Sequence, residues 1–551
     1  MVRKLFLLIF LLTCFEIFSQ KESFFYGSIE SNSIYYDENE DNDYLNKLGS
    51  NNYLNLKYIH NSNWNLEAQI ESYMPKRLQN YSQNFEETHL STLSLNYQKN
   101  GFNFTIGSVY DQFGSGLALR TWEDRQLGIN NSILGIKLGY SNQAIDLKLI
   151  AGKQKKGTKI SSGKLIGFDS SFIILSRDDT LQNLTFGVSY VGRYEELPTT
   201  NIFPPINYDF DDLTNLFSGR IDYLKSDFYL SYEQVFKSKD GVILMGNIFD
   251  DFIKKGKAHY LNFGIAKQGF GFDFTFRRLE NMGFYTDRLE QGEVFNELTI
   301  NYLPALTKQH DYSLSNINVY ESQPYVSFPD PSLMKSGEIG FQMDLYYNIK
   351  ENTFLGGKYG TNLSINLSSW YNLDGEYSYN PLDYKSTFLS FGERYFTEQS
   401  LEIRKKWNTS FNNIILLINK FYNNRFIEEK TGESNSQIIV IDNNLTLKND
   451  KSLRFEIQHL FDQYDKKNWY GYGFEYSFNY NFSMYFNNIV NYENIEQNKP
   501  SFYSFGASYS KNSSLFSISY GKQRGGLLCY GGICRYVPEF KGLSFSINTT
   551  F

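Results

Sequence analysis

From Phe24 to Phe551, apolar and polar side chains alternate in short runs broken by turn residues. Leu54, Leu56 and Tyr58 point to one side, and Asn55 and Lys57 to the other. After a turn at Asn61-Ser62-Asn63, Trp64, Leu66, Ala68 and Ile70 alternate with Asn65, Glu67, Gln69 and Glu71. A strict period of two makes a strand with one apolar and one polar face. The unit recurs. Leu93, Leu95 and Tyr97 turn at Lys99-Asn100-Gly101 into Phe102, Phe104 and Ile106, and Leu134 to Tyr140 turn at Asn142-Gln143 into Ile145 to Leu149. Phe270 to Phe276 alternate with Gly271, Asp273, Thr275 and Arg277, and Leu453, Phe455 and Ile457 with Arg454, Glu456 and Gln458. The final run sets Leu543, Phe545, Ile547, Thr549 and Phe551 on one face.

Tight turns alternate with long polar connections such as Asp37–Ser50, Met74–Glu87, Glu195–Asn215 and Asn423–Ser436. Short turns at one end and long loops at the other suit a transmembrane barrel with periplasmic turns and extracellular loops. A secreted sandwich would alternate similarly. A chain stopping on Phe551 at the end of an amphipathic strand, however, resembles the signal by which bacterial barrels are recognised for assembly. The pattern predicts an all-β fold: one large antiparallel transmembrane β-barrel of about 24–26 strands. Its inward charges, among them Lys57, Glu67, Glu71, Asp273, Arg277, Arg454 and Glu456, predict a wet lumen. Barrels this wide cannot fill their interior with wall side chains, so water, folded-in loops or a partner must occupy it.

Composition agrees. Tyr (44) and Phe (48) are abundant and Pro (11) is rare, as expected for pleated walls with aromatic girdles at the interfaces. Trp64, Trp407, Trp469 and Tyr140, near strand ends, are expected at those interfaces. A net charge of −7 without a clustered basic face argues against a nucleic-acid partner. At the N-terminus, Arg3 and Lys4 precede the apolar run Leu5–Leu12, and Ser19 offers a cleavage site. Residues 1–19 read as a signal peptide, and 20–551 as the barrel. Cys14 would admit a lipoprotein signal, but Thr13 is a poor residue before a lipidated cysteine. Beyond that segment the longest apolar run, Ile414–Ile418, is far short of the roughly 18 residues a membrane helix needs.

Three segments break the rhythm. Asp111–Asn131 combines glycines with charged Arg120, Glu123, Asp124 and Arg125 and apolar Leu117, Leu119, Trp122 and Leu127. Its apolar residues seek burial, so it is expected to fold inward as a constriction loop rather than lie on the surface. In Gly521–Pro538, Cys529 and Cys534 would be the only cysteines left after export, and an even pair in an exported chain reads as a disulfide. A metal site is the weaker reading, because no His or carboxylate pair stands nearby. Phe276–Arg288, with mixed charge, is expected to be a packed polar loop and nothing more.

No chemistry-bearing motif emerges. The five histidines (His60, His89, His259, His310, His459) lie on different hairpins, with no metal-ligand spacing and no nucleophile motif beside them. Neither an enzyme nor a cofactor is expected. A TonB-dependent transporter would place a globular plug before its barrel, whereas strand texture here starts by Phe24.

The runs FGSGLALRTWEDRQLGI, RRLENMGFYTDR and RGGLLCYGGICRYVP, with Tyr302-Leu303-Pro304-Ala305-Leu306, resemble an uncharacterised Bacteroidota outer-membrane family described as a domain of unknown function. The resemblance spans nearly all of the expected mature chain. It implies a barrel in that phylum's outer membrane and no activity. Two functions are expected from this reading: a passive channel or transporter, or a non-catalytic docking subunit of an outer-membrane assembly. The expected partners are outer-membrane lipid and lipopolysaccharide, the barrel assembly machinery through Phe551, and a protein partner at the surface.

Overall fold

The computed structural model describes residues 23–39, 47–177, 181–196, 210–241, 243–244, 247–248, 253–288, 298–462, 467–495 and 499–551. The expected signal, residues 1–19, lies outside them. Among the described residues, twenty-four strands form one antiparallel sheet. Each pairs with the strand before and after it in the chain. The last, Phe540–Thr550, pairs with the first, Ser23–Asn39, with Ser28 opposite Thr550 and Tyr35 opposite Leu543. The sheet is therefore closed, and no strand is left with an unpaired edge. Among the described residues no helix is long and apolar enough to cross a membrane.

The strand directions gather the connections into two ends. At the end holding Ser23 and Phe551, most turns are short, as at 61–63, 100–101, 226–227 and 512–513, with 350–360 longer. At the opposite end lie 73–87, 110–132, 281–288, 298–336, 423–433 and 524–539. These are called the turn end and the loop end below.

The period of two fixes what faces out. Ile136, Ile221, Ile457 and Ile518, on four different strands, are 43–53% exposed, and outward Phe217, Phe236, Phe505 and Phe545 join them. A belt of this size around the whole molecule has no place in water and suits lipid. Trp64 and Trp407, at the turn end, are both exposed, and Trp64 packs on Tyr97 as Phe102 does on Tyr140. Trp469 departs from expectation. It is buried and stacks on Phe502 rather than standing at the interface.

The interior also departs from an all-round wet lumen. Inward Ile150, Leu165, Val191, Leu216, Val235, Ala258 and Leu279 form one buried cluster with Phe113, Leu117, Leu119, Met282, Phe284 and Ile300. The second group comes from residues 110–132, 281–288 and 298–336, which fold into the bore. A second cluster joins Tyr312, Leu314 and Ile317 to Leu416, Ile418, Ile438, Val440, Leu460 and Trp469. At about 1.5–3 kcal/mol per large side chain removed from water, these contacts make the inward segments part of the core rather than loosely hung loops.

Candidate channel lumen

The first inward segment follows the strand Phe102–Val109. Asp111 anchors it between two wall lysines, 2.5 Å from Lys137 and 3.0 Å from Lys148. Burial alone would raise the Asp111 carboxyl, but the two ammonium groups outweigh it and hold it below the usual range. Gly114 sits at φ +52°, where its backbone passes so close to Glu233 that a Cβ would lie 2.9 Å from the carboxylate. The next residue's N–H donates to that same carboxylate at 2.9 Å.

The five residues expected to constrict the bore divide into two groups. Glu123 and Arg125 hold the segment to the wall. Gln69 donates to Glu123 at 3.0 Å, Arg125 reaches Glu30 at 2.6 Å and Asn55 at 3.2 Å, and Arg125 pairs with Glu123 at 2.8 Å. Arg120 and Trp122 turn instead to the second inward segment. The Arg120 guanidinium lies 3.8 Å over the Tyr302 ring, and Trp122 meets that ring edge-on at 5.6 Å. Asp124 accepts from the backbone N–H groups of Gln126 and Leu127, so it shapes its own turn.

Residues 281–288 and 298–336, the second inward segment, are the larger part of the filling, and sequence reasoning missed them. The stretch expected to be only a packed polar loop, Phe276–Arg288, is the root of this segment. Arg277 pairs with Glu338 at 2.6 Å and Arg288 with Asp240 at 3.0 Å, all within the buried interior. Glu338 collects three further donors from the segment: Tyr320 Oη at 2.6 Å, Ser322 Oγ at 3.0 Å and the Gln323 N–H at 2.7 Å. Further along, His310 and Lys420 both reach Glu398, at 3.1 and 3.2 Å, and the Leu314 N–H donates to Gln458 at 2.9 Å. The segment thus runs from one side of the wall to the other.

The disulfide expected between Cys529 and Cys534 is present, joining directly paired residues of the ribbon Gly526–Val537. This ribbon closes the loop end by holding both inward segments. Arg535 donates to the Leu127 carbonyl at 2.5 Å. Gly532 accepts from the Ala305 N–H at 2.7 Å, and Gly531 from Tyr302 Oη at 2.6 Å.

Several cavities remain, including one of about 510 Å³ lined by Lys308, Asp311, Glu402 and Arg404 among others, and two more are nearly equal in volume. One of about 560 Å³ lies toward the turn end, lined by Ser28, Asn55, Lys57, Glu67, Glu123 and Thr550 among others. The other, about 550 Å³, lies against Ser313 and Asn316 of the second segment and includes Arg454, Glu456, Asn487, Ser504 and Arg524. The histidines stay apart: His60 contacts Ser23, His259 contacts Tyr232, His459 contacts Tyr492, and His89 lies near Glu71. Among the described residues no group of three or more His, Cys, Asp or Glu side chains gathers as a metal site.

A closed 24-strand antiparallel barrel with an apolar outer belt and an interior crossed by folded-in segments defines the outer-membrane barrel class. The chain belongs to a family of unknown function, DUF6029, whose model matches residues 1–551. No curated protein matches it. Among solved structures it is similar to the translocation pore of the P pilus usher PapC, with 10% identity, TM-score 0.44, and 96% of this chain and 100% of that one covered. It is also similar to OccK11 (OpdR) of Pseudomonas aeruginosa, with 10% identity, TM-score 0.37, and 80% and 96% covered. A third is the siderophore receptor PirA of the same organism, with 8% identity, TM-score 0.38, and 97% and 81% covered. These likenesses extend to the barrel form only.

Proposed function

We propose that this protein is a passive channel of the outer membrane of a Bacteroidota cell, its bore narrowed by residues 111–131, 281–288 and 298–336. In this reading it is exported by the signal at 1–19, inserted by the barrel assembly machinery, and held with its belt in lipid and its loop end among lipopolysaccharide. The supporting observation is that Glu123 and Arg125, bound to Glu30, Asn55 and Gln69 on the wall, leave a cavity of about 560 Å³ beside them instead of filling the bore. Replacing residues 111–131 with a short Gly-Ser link is expected to raise single-channel conductance and sensitivity to large antibiotics. Conductance that is unmeasurable both before and after the replacement counts against a channel.

A second reading, a non-catalytic docking subunit, is supported by the hairpin Thr361–Tyr379 and Leu382–Lys406, the longest pair of strands in the barrel. Neighbouring pairing on one side stops at Tyr371, and the hairpin continues beyond it to carry exposed Phe388, Leu389 and Phe391. Exposed apolar residues on such a projection suit a protein partner. A pull-down from native membranes that loses its partner when these three residues become serine would favour this reading.

A further inference from the structure

The inward segments do not cover the wall evenly. On the strands from Gln182 to Asp240 the inward residues of the loop-end half, Val191, Leu216, Ser218, Glu233 and Val235, are buried, while Asn183, Thr185, Asp222 and Ser231 toward the turn end are half-buried. Ser368, Glu398, Val440 and Gln458 on later strands are buried too. On the strands Phe482–Asn491, Ser501–Lys511, Ser514–Gln523 and Phe540–Thr550 the inward row stays partly open. Ser504, Ser508, Ser517, Ser519, Ser544 and Ser546 are half-buried, and Asn487 and Asn548 are exposed. The outward partners in the same strands, Phe505, Ile518 and Phe545, keep the belt unbroken, so this openness belongs to the bore.

We infer that solute crosses the bore along this wall, in a slot between it and the inward segments, and that the slot selects uncharged, polyhydroxylated molecules of sugar size. The inference rests on the channel reading above. The register carries the route from rung to rung. Ser504 lies opposite Gly521, Gly506 opposite Ser519, Ser519 opposite Ser544, Ser508 opposite Ser517, and Ser517 opposite Ser546. Ser28 and Thr550 pair at the turn end, and both line the cavity of about 560 Å³. Asn487 and Ser504, toward the loop end, line the cavity of about 550 Å³. The open wall therefore joins the two cavities, each within the roughly 300–1,000 Å³ usual for small-molecule sites.

The chemistry of the wall sets the class of solute. Its inward rungs offer hydroxyls and amides and no charge. A hydroxylated solute can exchange its water for these groups, whereas an ion shedding water there meets no opposite charge. Charges stand at the two ends in groups of mixed sign: Arg454 with Asp442 and Glu456, Lys522 with Glu539, Lys57 with Glu67, and Arg125 with Glu30 and Glu123, and Glu475 also lines the second cavity. Arg524 is held on the Asn316 carbonyl at 3.0 Å. Tyr485 adds the aromatic surface. Its ring edge lies 2.9 Å from where a Gly506 Cβ would stand, so it lies across the slot and offers the apolar face of a sugar ring a surface to pack on.

The test uses the full-length barrel in liposomes, with swelling measured in a neutral disaccharide and in an anionic sugar acid of similar size. Ser519→Cys and Ser546→Cys are each treated with a charged, water-soluble thiol reagent. Ser368→Cys, on the covered wall, is the control, and heat-modifiable migration verifies folding of all three. The expected result is faster swelling in the neutral sugar, cut several-fold by the reagent in the first two variants and unchanged in the third. Swelling that the reagent leaves intact at both positions would overturn the route while the channel reading stands. Equal rates for the sugar acid would overturn the selectivity. Absence of swelling in any solute would overturn the channel reading itself and the slot with it.

Discussion

Phe551 and Gly27 exchange two backbone hydrogen bonds of 2.9 Å, and the Phe551 ring occupies the place where a side chain at position 27 would lie. A Cβ there would stand 2.7 Å from the ring. The two residues belong to the first and last strands, so this contact completes the closing seam.

Gly27→Val, which cannot fit without displacing the ring, is expected to weaken the seam by about 1–3 kcal/mol. Removal of Phe551 forfeits both the ring and the paired bonds and should be worse. Heat-modifiable migration and surface labelling check this. Surface levels for the Phe551 deletion equal to those of Ser546→Ala would contradict it.

The Cys529–Cys534 ribbon holds both inward segments through Arg535, Gly531 and Gly532. Replacing both cysteines with serine should leave the barrel folded but loosen the ribbon, because so short a ring stabilises by less than the ~3 kcal/mol of a 15-residue loop. Faster amide exchange is expected at 300–306 and 124–128, with none at the outward belt. Two thiols reactive in the unreduced, denatured wild-type protein would show that the bond is not formed.

Glu338 accepts from Arg277, Tyr320, Ser322 and Gln323 in a fully buried position. Glu338→Ala leaves the Arg277 charge unpaired, which costs about 3–5 kcal/mol. The loss should fall on residues 320–336, read as new protease cleavage there and a rise in conductance. An unchanged proteolysis pattern would mean that other contacts hold the segment.

Two titratable groups in the same segment, half-buried Glu321 and buried Lys335, give it a pH dependence. Burial pushes the Glu321 carboxyl up to about 7, against an attraction from Lys335 that lowers it. Burial likewise pushes Lys335 down to about 8, with Glu429 and Glu321 opposing. A carboxyl with a raised native pKa favours the folded state at low pH, and that contribution is lost as the pH climbs from its ordinary value through 7. Lys335 remains charged in both states over that range. The segment should therefore be tightest near pH 5 and loosen by pH 7.5. Conductance should rise over that interval, and Glu321→Gln should flatten the rise.

The outer belt was legible because lipid imposes one face on every strand, and the period of two records it directly. The filling of the bore left a fainter trace. Leu165-Ile166, Leu216-Phe217, Val235-Phe236 and Ile438-Ile439 are apolar doublets that break the alternation. In each, the second residue faces out and the first is buried beneath an inward segment. Read as noise, they hide a wall packed on both faces. The 281–336 segment likewise carried a signal, four of the chain's eleven prolines and no alternation. Its role depends on residues far away in sequence, such as Glu398 and Gln458, which no local pattern links to it. The Arg120, Trp122, Glu123 and Arg125 cluster was found because apolar and charged groups crowd one glycine-bent stretch, but its contact with Tyr302 could not be read.

The doublets also separate two kinds of apolar contact by their response to temperature. Belt residues exchange one apolar solvent for another, so cooling changes little for them. The inward members, Leu216 in the cluster that holds Phe113 and Val440 in the one that holds Leu314, are buried away from water, and that driving force fades in the cold. Chilling should therefore loosen the interior while the shell stays closed, giving a barrel whose contents soften before its wall does.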